Sequence, residues 1–258
     1  MTIGRVVELW RFPVKSLQGE RVDALTLRPG GIEGDRAWAL VDRATGKLMS
    51  AKRHAALFHG RAGTEGGEVV VALPTGAEFV AGDPEGSRFA SEWLDRDVEI
   101  RPVEPGTAVA YEMTFDPPND AAEVIDIPAP AGSFLDLAAV HLLSTATLAR
   151  ARVEDPELDW DVRRFRPNVV IELAEGDGPE AAFTEDTWVG RQVGIGDARV
   201  SIRMSTVRCA MPLRGQPGLE PQPGMYDVME ALHANHIGVY ADTVRPGPIR
   251  VGDDLLLA

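Results

Sequence analysis

The sequence predicts a mainly β fold (α+β) of barrel type with a few short helices. Three observations carry this. Short runs alternate polar and apolar residues, the mark of a half-buried strand. Turn signals built on Gly and Asp recur between those runs. Helical periodicity is confined to three short stretches, which does not suit the regular βαβ alternation of a doubly wound sheet.

The elements follow in order. Residues 5–12 and 21–27 alternate and read as strands, the second ending at Pro29-Gly30-Gly31. Ala37 to Asp42 is a short apolar strand, and the turn at Arg43-Ala44-Thr45-Gly46-Lys47 returns a partner at Leu48-Met49-Ser50. Residues 68–73 and 78–80 form a second hairpin across Pro74-Thr75-Gly76. Phe89, Trp93 and Leu94 have helical spacing within 88–94. Residues 116–133, rich in Pro, Asp and Ala, read as a linker or long loop. A strand at 140–143 then feeds a helix capped by Ser144 or Thr145 and running to about Arg152. Asn168 to Leu173 is a strand starting just after a proline. Strands at 192–196 and 198–204, a helix over 225–236, and strands at 239–244 and 249–257 complete the chain.

Net charge is −14, from 26 basic and 40 acidic residues. That argues against nucleic acid, whose affinity comes from neutralised phosphates, and against an anionic membrane surface. No apolar run approaches the ~20 residues a membrane span needs. The N-terminal residues lack the apolar stretch of a signal peptide, so the expected compartment is the cytoplasm. Basic residues stand out locally in this acidic chain: Arg163-Arg164-Phe165-Arg166, Lys52-Arg53-His54, and Lys15, Arg36 and Arg208. Each is either an ordinary solvated charge or part of a convergent anion site.

No phosphate-binding loop, dinucleotide fingerprint, H-E-x-x-H or nucleophile elbow is present. His233 and His236 can face one way on a helix, but a pair without a third ligand reads as surface or cap chemistry. The one cysteine, Cys209, cannot form an internal disulfide or a multi-thiolate metal cluster. It is a nucleophile, a single thiolate ligand, or a small buried hydrophobe. The adjacent Arg208 favours the thiolate by Coulombic attraction.

Several motifs stand in a set order and spacing. In the first half they are Phe12-Pro13-Val14-Lys15-Ser16, Gly34-Asp35-Arg36 with the strand that follows, and Met49-Ser50-Ala51-Lys52. In the second they are Leu142 to Ala146, Arg164-Phe165-Arg166-Pro167-Asn168, Arg208-Cys209, and Pro246 to Asp253. Together they resemble the MOSC family in its two-part form, which includes the amidoxime-reducing components.

The resemblance implies a MOSC-type β-barrel domain over 121–258 behind an N-terminal β-barrel-like domain over 1–120. It implies a molybdenum cofactor, a pterin whose dithiolene binds the metal, with Cys209 as a further sulfur ligand to molybdenum and the catalytic centre. It places Lys15, Ser16, Arg36, Lys52, Ser144, Thr145, Arg166, Asn168 and Arg208 at positions that hold the cofactor. Lys52 stands where relatives often carry arginine, and Arg164 reads as a structural neighbour. Asp35 is placed to orient Arg36. Residues 213–226 would form a loop near the metal that shapes the substrate site. The implied reaction is reduction of N-hydroxylated compounds (amidoximes, hydroxylamines, N-hydroxylated bases) by oxygen-atom transfer. Electrons would come from a separate flavin reductase, ferredoxin or haem protein, since there are no spare cysteines for an iron–sulfur centre. Two other functions share these motifs: a carrier of molybdenum cofactor, and a metal-free sulfur-transfer protein acting through Cys209.

Overall fold

The computed structural model describes residues 1–114, 119, 121–130 and 132–258. Eighteen strands and three α-helices are present among them. The strands of the first half are β1 (Thr2–Arg11), β2 (Glu20–Val22), β3 (Ala24–Arg28), β4 (Gly31–Ile32), β5 (Trp38–Asp42), β6 (Arg61–Glu65), β7 (Glu68–Ala72), β8 (Glu78–Val80) and β9 (Val98–Pro102). Those of the second are β10 (Ala110–Met113), β11 (Ile125–Pro128), β12 (Val140–Ser144), β13 (Val169–Leu173), β14 (Gln192–Ile195), β15 (Ala198–Val207), β16 (His236–Arg245), β17 (Gly247–Arg250) and β18 (Asp254–Leu257). The helices are α1 (Pro84–Leu94), α2 (Thr145–Glu154) and α3 (Met225–His233).

The mainly β fold with few short helices is the one observed. One sheet runs β13-β12-β16-β15-β14-β18-β1-β2, and β1 also pairs with β13. The first seven of these therefore close into a barrel, which leaves their ladder without an open edge. The first strand of the chain thus completes a barrel otherwise built by its second half. Register shifts in β15 between Ile202 and Met204, and between Ser205 and Val207, bend that strand as closure requires. β12 and β13 pair in parallel, and α2 supplies the crossover such a pair needs. The barrel interior is filled by Val6, Leu9, Leu142, Ile171, Val193, Val200, Ile202 and Val239.

A second core lies outside the barrel. There β5–β9 and the β6-β7-β8 sheet pack with α1 around Leu40, Leu57, Phe58, Val71, Phe79 and Ile100, with Cys209 and Met211 against it. A third joins α2 to α3 through Leu148, Trp160, Phe165, Met225 and Met229.

Several elements differ from expectation. The strand expected over 21–27 breaks at Asp23, so that β2 extends the barrel sheet while β3 pairs with β17. The returning strand at 48–50 shrinks to single bridges from Leu48 to Val41 and Tyr111. Helix α1 starts at Pro84, four residues early, because Asp83 caps it by accepting from the Glu85 N–H and proline suits the first turn. Part of the linker expected over 116–133 lies outside the described residues (116–118, 120, 131). Within it, Ile125–Pro128 is strand β11, paired with β10, and proline is tolerated at its last position. Helix α3 ends at His233, where Ala234 and Asn235 turn left-handed and launch β16.

Candidate functional site

A cavity open to solvent lies where the barrel meets the second core. Lys15, Ser16, Arg36, Arg166, Asn168, Arg208 and Cys209 all line it. Residues separated by almost two hundred positions thus converge, and four of them are cationic in a chain of charge −14.

The backbone at the site is unusual. Ser16, Arg36 and Arg166 have φ of 68°, 47° and 53°. Left-handed conformations are uncommon outside glycine and gather at functional sites. Here they lie at the turns that bring Ser16, Arg36 and Arg166 to the cavity wall. Ser16 Oγ accepts from the Ala51 N–H at 3.0 Å, which ties the first motif to the third. Arg36 pairs with Asp35, whose side chain is fully buried and also accepts from the Phe12 N–H at 2.7 Å. The orienting role expected for Asp35 is therefore met in a buried pair. Arg166 donates from Nη1 to the Leu17 carbonyl at 2.7 Å. Burial, then Arg36, pull its guanidinium below its ordinary value.

Arg208 donates from Nη2 to the Phe165 carbonyl at 2.8 Å, while its Nε is buried without a partner among the described residues. Burial lowers this guanidinium as well. His141 lines the same wall, with Nε2 3.5 Å from Arg208 Nη1. Burial, then the Arg208 charge, hold it well below the ordinary histidine value, so it stays neutral. Gly238 makes room for that ring, because a Cβ there would lie 2.7 Å from His141 Nε2. Tyr240 completes this side, edge-on to His141.

Lys52 does not line the cavity. It reaches the wall from behind through Asp136, a cavity residue that the sequence reading did not single out. Asp136 takes Lys15 Nζ on Oδ1 at 2.5 Å and Lys52 Nζ on Oδ2 at 2.9 Å. Both ammonium groups also stand over the Tyr111 ring, at 4.8 and 4.1 Å from its centroid. Burial draws Lys15 down to about 8, and Lys52 and Arg36 add to this. Burial opposes the charge on Lys52 most, but Asp136, Cys209 and Tyr111 together outweigh it and leave Lys52 above the lysine range. Asp136 is held below the carboxylate range, its two lysines overcoming burial.

Two expected site residues are placed elsewhere. Ser144 caps α2: its Oγ accepts from the Thr147 N–H at 3.1 Å and lies 2.9 Å from Glu185 Oε2. Thr145 Oγ1 donates to the Ile171 carbonyl at 3.4 Å. The strand-to-helix junction uses both hydroxyls, and neither residue lines the cavity. Asn168 does line it, yet its amide joins strand ends, accepting from the His141 N–H at 3.3 Å and donating to the Trp10 carbonyl at 3.3 Å.

Arg164 is structural, as expected. It is fully buried and donates to the carbonyls of Asp159, Pro212, Arg214 and Glu220. It so clamps the loop after Cys209. That loop does not shape the cavity beyond Met211, and Met225 sits fully buried in the third core. His233 is stacked on Phe183 at 3.9 Å and bonded to Asp186 at 2.6 Å. No group of three metal-ligating side chains occurs among the described residues. None of the helices described is long and apolar enough to cross a membrane.

Asp136, Tyr111 and Tyr240 were missed because their importance depends on partners from about sixty to over a hundred residues away. Asn235 was missed too, although an asparagine after a helix is a known left-handed stop.

Comparison with known proteins accords with this arrangement. Residues 131–256 match the MOSC domain model, and residues 3–93 match the MOSC N-terminal beta barrel domain model. Mitochondrial amidoxime reducing component 2 of Bos taurus is 24% identical, the match covering 97% of this chain and 82% of that protein. Mitochondrial amidoxime-reducing component 1 of Homo sapiens is 23% identical over 99% of this chain and 83% of its own. The crystal structure of the YUAD protein from Bacillus subtilis superposes with a TM-score of 0.50 at 11% identity, covering 99% of this chain and 94% of that one, and shows the shared fold. The chain belongs to the MOSC family, carrying a MOSC domain preceded by a MOSC N-terminal beta barrel domain.

Proposed function

We propose that this chain binds a molybdenum cofactor in the cavity beside Cys209 and reduces N-hydroxylated compounds there. The observation that carries this is the placement of the lone cysteine in one cavity with Lys15, Arg36, Arg166 and Arg208. The named relatives support a cofactor-related function, and the substrate class is our own reading of them.

The residues present fit such a group. The buried, unpartnered Arg208 Nε marks a donor waiting for an acceptor. Arginines suit bidentate contact with a phosphate, and lysine adds a point charge. A soft thiolate suits a metal already held by sulfur. Lys15, Ser16, Arg36, Arg166 and Arg208 would hold the anionic and pterin parts, with Lys52 acting through Asp136 and Cys209 ligating the metal. Asn168 shapes that wall. When bound, the cofactor supplies two-electron oxygen-atom transfer.

The chain's own residues bind and orient. Asp35 and the Leu17 carbonyl aim the two arginines inward. His141, kept neutral, adds no charge beside Arg208. Reduction of an N–O group to water consumes protons. Lys15 Nζ, at about 8, holds one near neutral pH and is suited to release it. Leu137 and Val207, both partly exposed, form an apolar rim for the substrate's organic part.

Electrons would arrive from a separate flavin, ferredoxin or haem protein, steered by the acidic surface towards a basic donor patch. A cytoplasmic setting and a division into units at 1–120 and 121–258 belong to the same proposal.

The test is molybdenum and pterin content of protein from a cofactor-producing host, beside Cys209→Ala, followed by reduction of an aryl amidoxime with a chemical electron donor. Near-stoichiometric metal and turnover, both lost in the variant, are expected. Metal without turnover on any N-hydroxylated compound would make the protein a carrier. A persulfide on Cys209 without metal would make it a sulfur-transfer protein.

A further inference from the structure

Two of the cavity's guanidinium groups share one aromatic ring. Phe12, at the end of β1 and 4% exposed, has the Arg166 Cζ 4.0 Å and the Arg36 Cζ 4.6 Å from its ring centroid. The arginines are 130 positions apart in sequence. They carry like charge, and after burial itself the Arg36 charge lowers the tendency of Arg166 to stay cationic in the cavity. Asp35 and the Leu17 carbonyl each hold one of these guanidinium groups, and the Phe12 ring is a contact that both share.

The ring itself is immobilised on every side. The Phe12 N–H donates to Asp35 Oδ1 at 2.7 Å, and its carbonyl accepts from the Arg36 N–H at 2.7 Å. Trp10 stacks behind it at 6.5 Å with an interplanar angle of 13°. Gly19 lets the ring in, because a Cβ at that position would lie 2.5 Å from Phe12 Cδ1. The anchor, Asp35 and both arginines therefore form one rigid unit. A planar guanidinium over an arene face gains cation–π attraction while its N–H edge stays free to donate.

We propose that Phe12 is a positioning residue: its ring sets the spacing at which Arg36 and Arg166 grip one anionic group as a pair. This rests on reading the cavity as an anion site. The arene lowers the entropy cost of ordering two arginines and leaves their donors aimed into the cavity.

The test is calorimetric binding of inorganic pyrophosphate to cofactor-free protein at pH 7. Phe12→Leu is expected to weaken binding about tenfold, and Phe12→Tyr to restore it, since the tyrosine face serves equally. In an Arg36→Gln background the loss on Phe12→Leu is expected to shrink below about threefold, because one of the paired cations is already gone. Thermal melts check that each variant folds, and Phe12→Met replaces Phe12→Leu should the latter not fold. Unchanged affinity in the folded variant overturns the proposal, as does an equal loss in the Arg36→Gln background, which marks a merely structural ring. Wild-type protein that fails to bind pyrophosphate overturns the anion-site reading itself, and the role of Phe12 falls with it.

Discussion

Asn235 grips Arg208 from both sides. Its carbonyl accepts the Arg208 N–H at 2.9 Å, and its Nδ2 donates to the Arg208 carbonyl at 2.8 Å. Asn235 can do both because it is left-handed, at φ 58°, where α3 stops. The peptide leading into Cys209 is fixed by this clamp and not by a ladder, since β15 has ended at Val207.

Asn235→Gly keeps the backbone conformation and removes only the amide. The buried Arg208 carbonyl then lacks its donor, at a cost of about 1–2 kcal/mol. The urea midpoint is expected to fall, and alkylation of Cys209 to speed up. An unchanged alkylation rate would show that the clamp does not hold the thiol.

Asp136→Asn leaves Lys15 and Lys52 without their shared carboxylate. Removing one partner from such a group destabilises, here by on the order of 2 kcal/mol since Asp136 keeps some exposure. The cavity also gains one positive charge. Lower thermal stability with tighter sulfate binding is the expected combination. Losing both together would mean that Asp136 positions the lysines more than it neutralises them.

Lys15, near 8, makes anion binding depend on pH. Below that value it carries an ammonium; as pH rises through it, the charge is lost and affinity falls. Sulfate stays doubly charged throughout and is the suitable probe. Its affinity is expected to drop about fivefold, or ~1 kcal/mol, between pH 7 and 9.5, and the drop to shrink in Lys15→Met, where Arg166, drawn down to about 9 by burial, still titrates. A flat profile in the parent protein would contradict this.

Glu185 is fully buried and is bonded by the Ser144 N–H and the Thr147 hydroxyl, at 3.1 and 2.9 Å. Burial nevertheless raises it above the usual 4.5. The folded protein therefore binds a proton more readily than the unfolded chain. The resulting stability is present below about 4.5 and is lost as pH rises through the folded-state value. Glu185→Gln is expected to flatten the slope of melting temperature as pH rises above about 4.5. A slope equal to the parent's would place the pH dependence elsewhere.

What was legible in the chain was local. Alternation marked β1, and short apolar runs marked β5, β12 and β13, whose residues are buried almost throughout. The cap at Ser144 was legible for the same reason, because its acceptor and donor lie three residues apart. The motifs around Lys15, Arg36, Arg166 and Cys209 were visible as well, though not their convergence. Strands β6 and β9 were not legible. Arg61 to Glu65 has no strong strand composition and is held by pairing with β7.

By itself, the sequence determined the fold class, the family motifs and the uniqueness of the Cys209 thiol, because composition and short-range spacing are enough for each. Only the tertiary structure decided which charges meet. It put Lys15 and Lys52 on Asp136, Arg36 and Arg166 on Phe12, and Arg208 under Asn235. Those partnerships join residues tens to over a hundred positions apart, beyond the reach of any local pattern in the sequence.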